Sequence, residues 1–258
     1  MEWHTLGSTP YLPPLYWRAA LKRKISGKTL PEAGLRCRIS VNPKDAAAYR
    51  KVCGFADSPV LPATYPPILA FGLQMQLLTG KDFPFPLLGL IPLRNRLRVL
   101  RPLGGVNDVS VGVYARNLQP HAKGATFDVV TTVEDSLGLL WEAESQMLCR
   151  GVKLDGVPAD ETLQAPISVS ELARWKAPAD IGRRYARVAG DYNPIHLSAI
   201  TAKLFGFPQA IAQGLWNKAH TLAALAEPLP NPQTDIIPES RTPLPLPRDI
   251  TALAPPRG

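Results

Sequence analysis

Residues 185 to 219 read YARVAGDYNPIHLSAITAKLFGFPQAIAQGLWNKA. Between Gly190 and His196 this stretch sets two proton-transfer groups, Asp191 and His196, on one tight loop. Gly190 permits a backbone angle closed to other residues, and Pro194 stiffens the segment, so both side chains can be held facing one point. Asn193 is expected to bond the loop backbone or to orient a neighbouring side chain, as Asn does in turns. Ser198 reads as the N-cap of a short helix from Ala199 to Phe205, and Gly206 as its stop. Gly214 then stands in the first turns of a buried helix, where glycine costs about 1 kcal/mol against alanine. Two accounts compete for it: close helix packing, or room for a ligand carbonyl to approach an N–H at the positive end of the helix dipole. Taken singly, Asp191 and Asn193 make an ordinary turn and His196 a structural histidine. Their convergence on one loop favours a functional reading.

Upstream, an alternating strand is expected from Leu35 to Val41 and a largely apolar, buried helix from Pro67 to Leu78. Strand-like runs follow at Leu88 to Leu100, Asp108 to Leu118 with Thr126 to Val133, and Leu139 to Cys149, with Gln119 to Gly124 as a turn. One strand, a long buried helix and then an antiparallel meander make an α+β pattern in which a sheet wraps a helix. The chain also repeats itself. Tyr65-Pro66, Ala70 and Gly72-Leu73 align without gaps with Phe207-Pro208, Ala212 and Gly214-Leu215, and both prolines are expected in the first turn of a helix. The domains expected are a leader over 1–34, with a short helix near Tyr16 to Arg23, a degenerate unit over 35–151, a second and incomplete unit over 167–226, and a Pro-rich tail over 227–258.

The Gly190 to His196 cluster, followed by Phe207 and Gly214, resembles the hydratase-2 motif of the MaoC-like (R)-specific enoyl-CoA hydratases and dehydratases. The stretches LPATYPPILAF (Leu61 to Phe71) and FPFPLLGL (Phe83 to Leu90) resemble the degenerate first half of the tandem members, which extends the likeness to most of residues 35 to 226. The resemblance implies tandem hot-dog units and a lyase of fatty acid metabolism that reversibly hydrates a trans-2-enoyl thioester. Such chemistry needs a base for the water, an acid for the α-carbon and donors for the enolate oxygen. Asp191 and His196 are then catalytic, with the principal base open between them, Asn193 orients, and the Gly214 N–H is the oxyanion donor. Coenzyme A or phosphopantetheine enters only as part of the substrate, with no separate cofactor. The counterpart in the first unit, Phe55 to Thr64, has Asp57 but no histidine five residues on, so one site per chain is implied. Tyr65, Phe71, Met75 and Phe83 are candidates for an acyl-tunnel wall, or for plain core.

Composition narrows the remaining classes. With 258 residues and 45% hydrophobic content, the chain can bury a real core. Its net charge of +8 favours anionic partners, but no zinc finger, basic zipper or RNA-binding aromatic signature accompanies it. Arg94, Arg96, Arg98 and Arg101 at alternate spacing suit one solvated strand face. Cys37, Cys53 and Cys149 lack metal or redox spacing, and His4, His121 and His220 lack ligand partners, so no metal site is expected. No secretory signal or membrane-length apolar run is evident, which points to the cytoplasm. An acyl-thioester substrate and a homo- or hetero-oligomer are the expected partners, without nucleic acid.

The segment after Glu227 is rich in Pro, which cannot donate to a central ladder. It is expected to supply no strands, to leave a sheet edge and the second helix uncovered, and to mark a truncated or frame-shifted reading. A catalytically impaired thioester binder or scaffold subunit is the alternative that this tail favours.

Overall fold

A computed structural model describes residues 1–158, 170–224, 234–236 and 243–254. In chain order the elements are β1 (Glu2–Leu6), α1 (Leu12–Leu21), β2 (Ala33–Ser40), α2 (Pro43–Cys53), α3 (Pro66–Leu78), β3 (Leu90–Val99), β4 (Asp108–His121), β5 (Gly124–Asp135) and β6 (Gly138–Arg150). Then come β7 (Ser170–Ala177), α4 (Ile181–Ala189), a 3-10 turn (Pro194–His196), α5 (Ala199–Lys203), α6 (Gly214–Ala224), β8 (Thr234–Ile236) and β9 (Arg248–Ala254). Two compact units result. The first takes Met1–Val41, Pro66–Asp160 and Asn231–Glu239; the second takes Asn42–Tyr65, Glu161–Pro230 and Ser240–Gly258. Neither unit is one contiguous block, unlike the 35–151 and 167–226 divisions expected from the sequence.

In the first unit a seven-stranded sheet runs in the order β1-β2-β4-β5-β6-β3-β8. Every pairing is antiparallel except β1 with β2. Helix α3 lies against β2, β4 and β5, as expected of a sheet wrapped about one helix. Alternation decides which side chains meet it. Thr131 of β5 accepts a bond from Gln74 of α3 at 2.9 Å, so Phe127 and Val129, which share its face, join Leu77, Leu78, Phe83 and Phe85 in the core. Each such side chain fully buried contributes about 1.5–3 kcal/mol. Phe83 stands edge-on to Phe85 and Phe127, with ring centroids 6.0 and 5.5 Å away. It is core packing, as is the buried Met75, while Tyr65 is buried in the second unit against Tyr49. The opposite face is charged: Arg98 pairs with Glu142 at 3.5 Å and Arg36 with Glu134 at 3.3 Å. Arg94, Arg96 and Arg98 are all exposed there.

Three expectations are corrected in this unit. The leader is not separate, because β1 adds a parallel edge to β2 and α1 occupies Leu12–Leu21. The turn expected over Gln119 to Gly124 tightens to Ala122-Lys123, since Gln119, Pro120 and His121 stay paired with Thr126, Ala125 and Gly124. The tail does supply strands: β8 pairs with β3, and β9 pairs with β7 in the second unit. Averaging proline over the whole tail hid two proline-free runs, Thr234–Ile236 and Arg248–Ala254.

The second unit is built on helices. Helix α2 was not anticipated, although its signals are plain: Asn42 caps the Lys44 N–H at 2.9 Å, Pro43 opens the first turn and Gly54 closes it in the left-handed region at φ +83°. The carbonyls of a last helical turn lack partners within the helix. Those of Val52 and Cys53 meet α6, where Trp216 Nε1 lies 3.2 Å from Val52 O and His220 Nδ1 lies 2.9 Å from Cys53 O. The His220 ring also lies between Trp175 and Trp216, at centroid distances of 5.0 and 5.2 Å. Helix α6 is therefore covered, with Trp216, Lys218 and Ala219 buried. Among the described residues no helix is long and apolar enough to cross a membrane.

Candidate active site

Helix α4 ends at Gly190, whose φ of +73° only glycine adopts cheaply, and whose N–H bonds Ala186 O at 2.9 Å. This left-handed cap turns the chain at once into the Asp191 to His196 loop. Asp191 Oδ1 accepts from the Asn193 N–H at 3.3 Å, and Asn193 Oδ1 accepts from the Ile195 N–H at 3.4 Å. Asn193 thus bonds the loop backbone, the first of its two expected roles. Pro194 opens a single 3-10 turn that ends at His196. Ser198 caps α5 through the Thr201 N–H at 3.1 Å, and Thr201 Oγ1 reaches back to Pro194 O at 2.7 Å.

This folding brings Asp191 and His196 together. His196 is 9% exposed, and its Nε2 stands 3.7 Å from Asp191 Oδ2, too far for a direct hydrogen bond. The other ring nitrogen, Nδ1, is 2.8 Å from the carbonyl of Ile211. A carbonyl only accepts, so Nδ1 carries a proton, and in the neutral form of the ring Nε2 is the acceptor. The Asp191 carboxylate remains part-exposed, so the two acceptors face one another beside solvent. Beneath them Tyr185 is fully buried, and burial, followed by Cys53 and Asp191, pushes its phenol well above its ordinary range.

Why Ile211 is available shows how the two copies of the internal repeat differ. Pro66 begins α3, but the matching Pro208 begins no helix, because α6 starts only at Gly214. The intervening backbone is spent on the loop and the tail. Ile211 N–H bonds Ile195 O at 3.0 Å, its carbonyl holds His196, and Ala212 N–H bonds Leu244 O at 2.9 Å. Gly214 consequently becomes the first residue of α6, where an N–H has no carbonyl one turn back. The two aligned glycines also differ in surroundings. A Cβ on Gly72 would sit 3.1 Å from Pro10 O and 3.2 Å from Thr9 Cγ2, whereas one on Gly214 would meet nothing within 4 Å. Packing explains Gly72 and does not explain Gly214.

Two residues that build this site were missed in the sequence. Gly182, in the first turn of α4, approaches the backbone of His196 so closely that a Cβ there would fall 3.0 Å from the carbonyl carbon and overlap its oxygen. Gln213 is 2% exposed and donates from Nε2 to Gly182 O at 3.0 Å, with Asp191 O at 3.5 Å. One amide thereby ties the start of α4, the loop and the entry to α6. A glycine in a helical first turn, and a Gln among apolar neighbours directly before Gly214, were the available signals. Among the described residues no group of three or more His, Cys, Asp or Glu is placed to hold a metal ion.

The model of the MaoC like domain matches residues 156–237. The 3-hydroxyacyl-thioester dehydratase X of Mycobacterium tuberculosis is 37% identical over 195 residues, which span 75% of this chain and 69% of that protein. The crystal structure of HtdX from Mycobacterium tuberculosis is similar with a TM-score of 0.68 and 32% identity, over 84% of this chain and 85% of that one. Another Mycobacterium tuberculosis protein, described as having a double hot-dog fold, is 12% identical with a TM-score of 0.50 over 92% of this chain and 84% of its own, a likeness of fold alone. Identity at this level over this length establishes kinship: the chain belongs to the MaoC-like dehydratase family.

Proposed function

We propose that this chain reversibly adds water to a trans-2-enoyl thioester to give an (R)-3-hydroxyacyl thioester, with Asp191 and His196 as the catalytic pair. The observation that carries the reading is the pair itself, in which His196 Nε2 and Asp191 Oδ2 stand 3.7 Å apart while Nδ1 is held on the Ile211 carbonyl, so that the neutral ring offers Nε2 as a second acceptor. A water between them can donate one hydrogen to each. One acceptor takes a proton from the water as its oxygen bonds the β-carbon, the double-bond electrons pass to the carbonyl oxygen as an enolate, and the pair returns one proton to the α-carbon. The sum is the addition of H and OH across the double bond.

The developing enolate oxygen needs a donor. The Gly214 N–H, at the start of α6 with open space where a side chain would be, suits that role. Asn193 and Gln213 hold the loop rather than touch the substrate in this scheme. The carrier, coenzyme A or acyl-carrier protein, presents the same phosphopantetheine arm, so the reactive thioester is the recognised group. The 37% identical relative bears the name of a 3-hydroxyacyl-thioester dehydratase, which agrees with the reverse direction.

The test is hydration of short and long trans-2-enoyl-CoA by purified protein, with the product offered separately to (R)- and (S)-specific 3-hydroxyacyl-CoA dehydrogenases. Turnover feeding only the (R)-specific enzyme is expected. Absence of turnover by the folded protein across chain lengths and on acyl-carrier-protein substrates, or an (S) product, overturns the reading.

A further inference from the structure

Between Glu2 and Glu32 the sequence holds five cations, Arg18, Lys22, Arg23, Lys24 and Lys28, and no Asp or Glu. This one segment concentrates much of the chain's net charge of +8. Helix α1 lies within it, and its periodicity separates two faces. Leu15 and Ala19, four residues apart, are buried. Trp17 and Leu21, also four apart, lie on the opposite side and are 72% and 77% exposed, with Tyr11 at the helix entry 76% exposed. Two large apolar side chains exposed side by side on one helical face ask for an occupant.

The cations divide in the same way. Lys22 turns inward, donating to the carbonyls of Gly80 and Phe83, with Asp82 close by. Arg18, Arg23, Lys24 and Lys28 stay exposed, the last three on the chain that continues from the end of α1. An exposed tryptophan and leucine on one helical face, followed in the sequence by arginine and lysine, are the composition of a helix that lies in a lipid interface, with apolar groups at the acyl boundary and cations among anionic headgroups. A second copy of this chain would set cation against cation across the contact. A nucleic acid would satisfy the charges and leave Trp17 and Leu21 without an apolar partner.

We infer that the α1 face formed by Trp17 and Leu21, with the exposed cations Arg18, Arg23, Lys24 and Lys28 next to it in the sequence, docks the protein reversibly on a bilayer surface that contains anionic lipid. Ten residues are far too few to span, so the helix lies on the surface. The inference is independent of the chemistry assigned to Asp191 and His196.

Flotation of the full chain with phosphatidylcholine vesicles, with and without phosphatidylglycerol, tests it. Binding is expected on the anionic vesicles and to weaken as salt rises. Trp17→Ser with Leu21→Ser should reduce it by roughly a hundredfold, and Arg23→Glu with Lys24→Glu by about tenfold or more. Circular dichroism and hydration activity report whether each variant is folded, and the charge-reversed pair, being wholly exposed, keeps the test open if the apolar pair misfolds. Equal binding to neutral vesicles, no vesicle binding by the parent, or unchanged binding by both folded variants overturns the inference. So does a parent that ignores vesicles while Trp17→Ser with Leu21→Ser lowers its sedimentation mass, which would assign the face to a second copy, or one that binds duplex DNA instead.

Discussion

Gly182 and His196 touch backbone to backbone: where any other residue would carry a Cβ, Gly182 has the carbonyl of His196. Gly182→Ala must therefore push the loop or the first turn of α4 aside. The expected cost is about 1–3 kcal/mol of stability from overpacking, with kcat reduced on the order of a hundredfold by a displacement of His196 near 1 Å. Urea unfolding and steady-state hydration kinetics read both. A variant with parental kcat would show that the contact does not set the position of His196.

Gln213 acts on the same loop from the other side. Gln213→Leu keeps the bulk and removes the donor to Gly182 O, leaving a buried carbonyl to lose about 1–3 kcal/mol. Because Gln213 is assigned no contact with substrate, kcat should fall while KM stays near the parental value. A rise in KM alone would instead place Gln213 against the substrate.

Asp191→Asn and His196→Gln are each expected to lower hydration by several orders of magnitude, and the double variant little further, because groups that act on one water work as a unit. Circular dichroism should show the parental fold in both. Near-parental turnover in either folded variant removes that residue from the proposed chemistry.

The two aligned glycines separate packing from chemistry. Gly214→Val has open space for its side chain, so stability should change by less than about 1 kcal/mol while turnover is abolished. Gly72→Val meets Pro10 O and Thr9 and should lose about 1–3 kcal/mol with turnover retained in the folded fraction. Thermal melts beside assays on each variant decide, and parental turnover in Gly214→Val would count against the oxyanion role.

Lys218 offers a pH test that leaves the loop untouched. Burial lowers its pKa from the ordinary 10.5 to about 8. Between those values the unfolded chain holds a proton that the folded chain has lost, so stability should rise as pH climbs from about 8 to 10.5. Below pH 8 both states are charged and the burial penalty, roughly 3 kcal/mol, is constant. Lys218→Met should remove this rise, leaving a stability that is flat between about pH 8 and 10.5 where the parent's climbs. Urea unfolding of both proteins across that interval decides, and a parent whose stability does not rise there would show that burial does not lower the Lys218 pKa.

The loop from Asp191 to His196 was legible in the sequence because its interactions are short-range. The Asn193 bond to Ile195 and the Ser198 cap on Thr201 span two and three residues, and each needs a residue type that announces itself. What was missed depends on distant chain. The contact of Gly182 with His196 and the bond from Gln213 to Gly182 cross 14 and 31 residues, and both act on backbone atoms, which every residue has. For the same reason α2 could have been read as a helix from Asn42, Pro43 and Gly54 but not assigned to the second unit. Its partners Trp216 and His220 lie 164 and 167 residues away. The internal repeat misled at one point: aligned prolines suggested two equivalent helix starts, but His196 claims the carbonyl of Ile211 and the second helix yields its first turns.

Helix α2 is made early and needed late. On a ribosome adding about 5–20 residues per second, the 164 residues between Val52 and Trp216 take roughly 10–30 s to synthesise. Throughout that interval the nascent chain carries a helix whose last two carbonyls, those of Val52 and Cys53, lack their native partners on α6. A chaperone has its longest opportunity there, and no gene fragment that ends before α6 can relieve the need. The two units also cannot be exchanged as cassettes by a single crossover, because their segments interleave along the chain; recombination between relatives of this protein should preserve the whole stretch from β1 to β9 as one inherited piece.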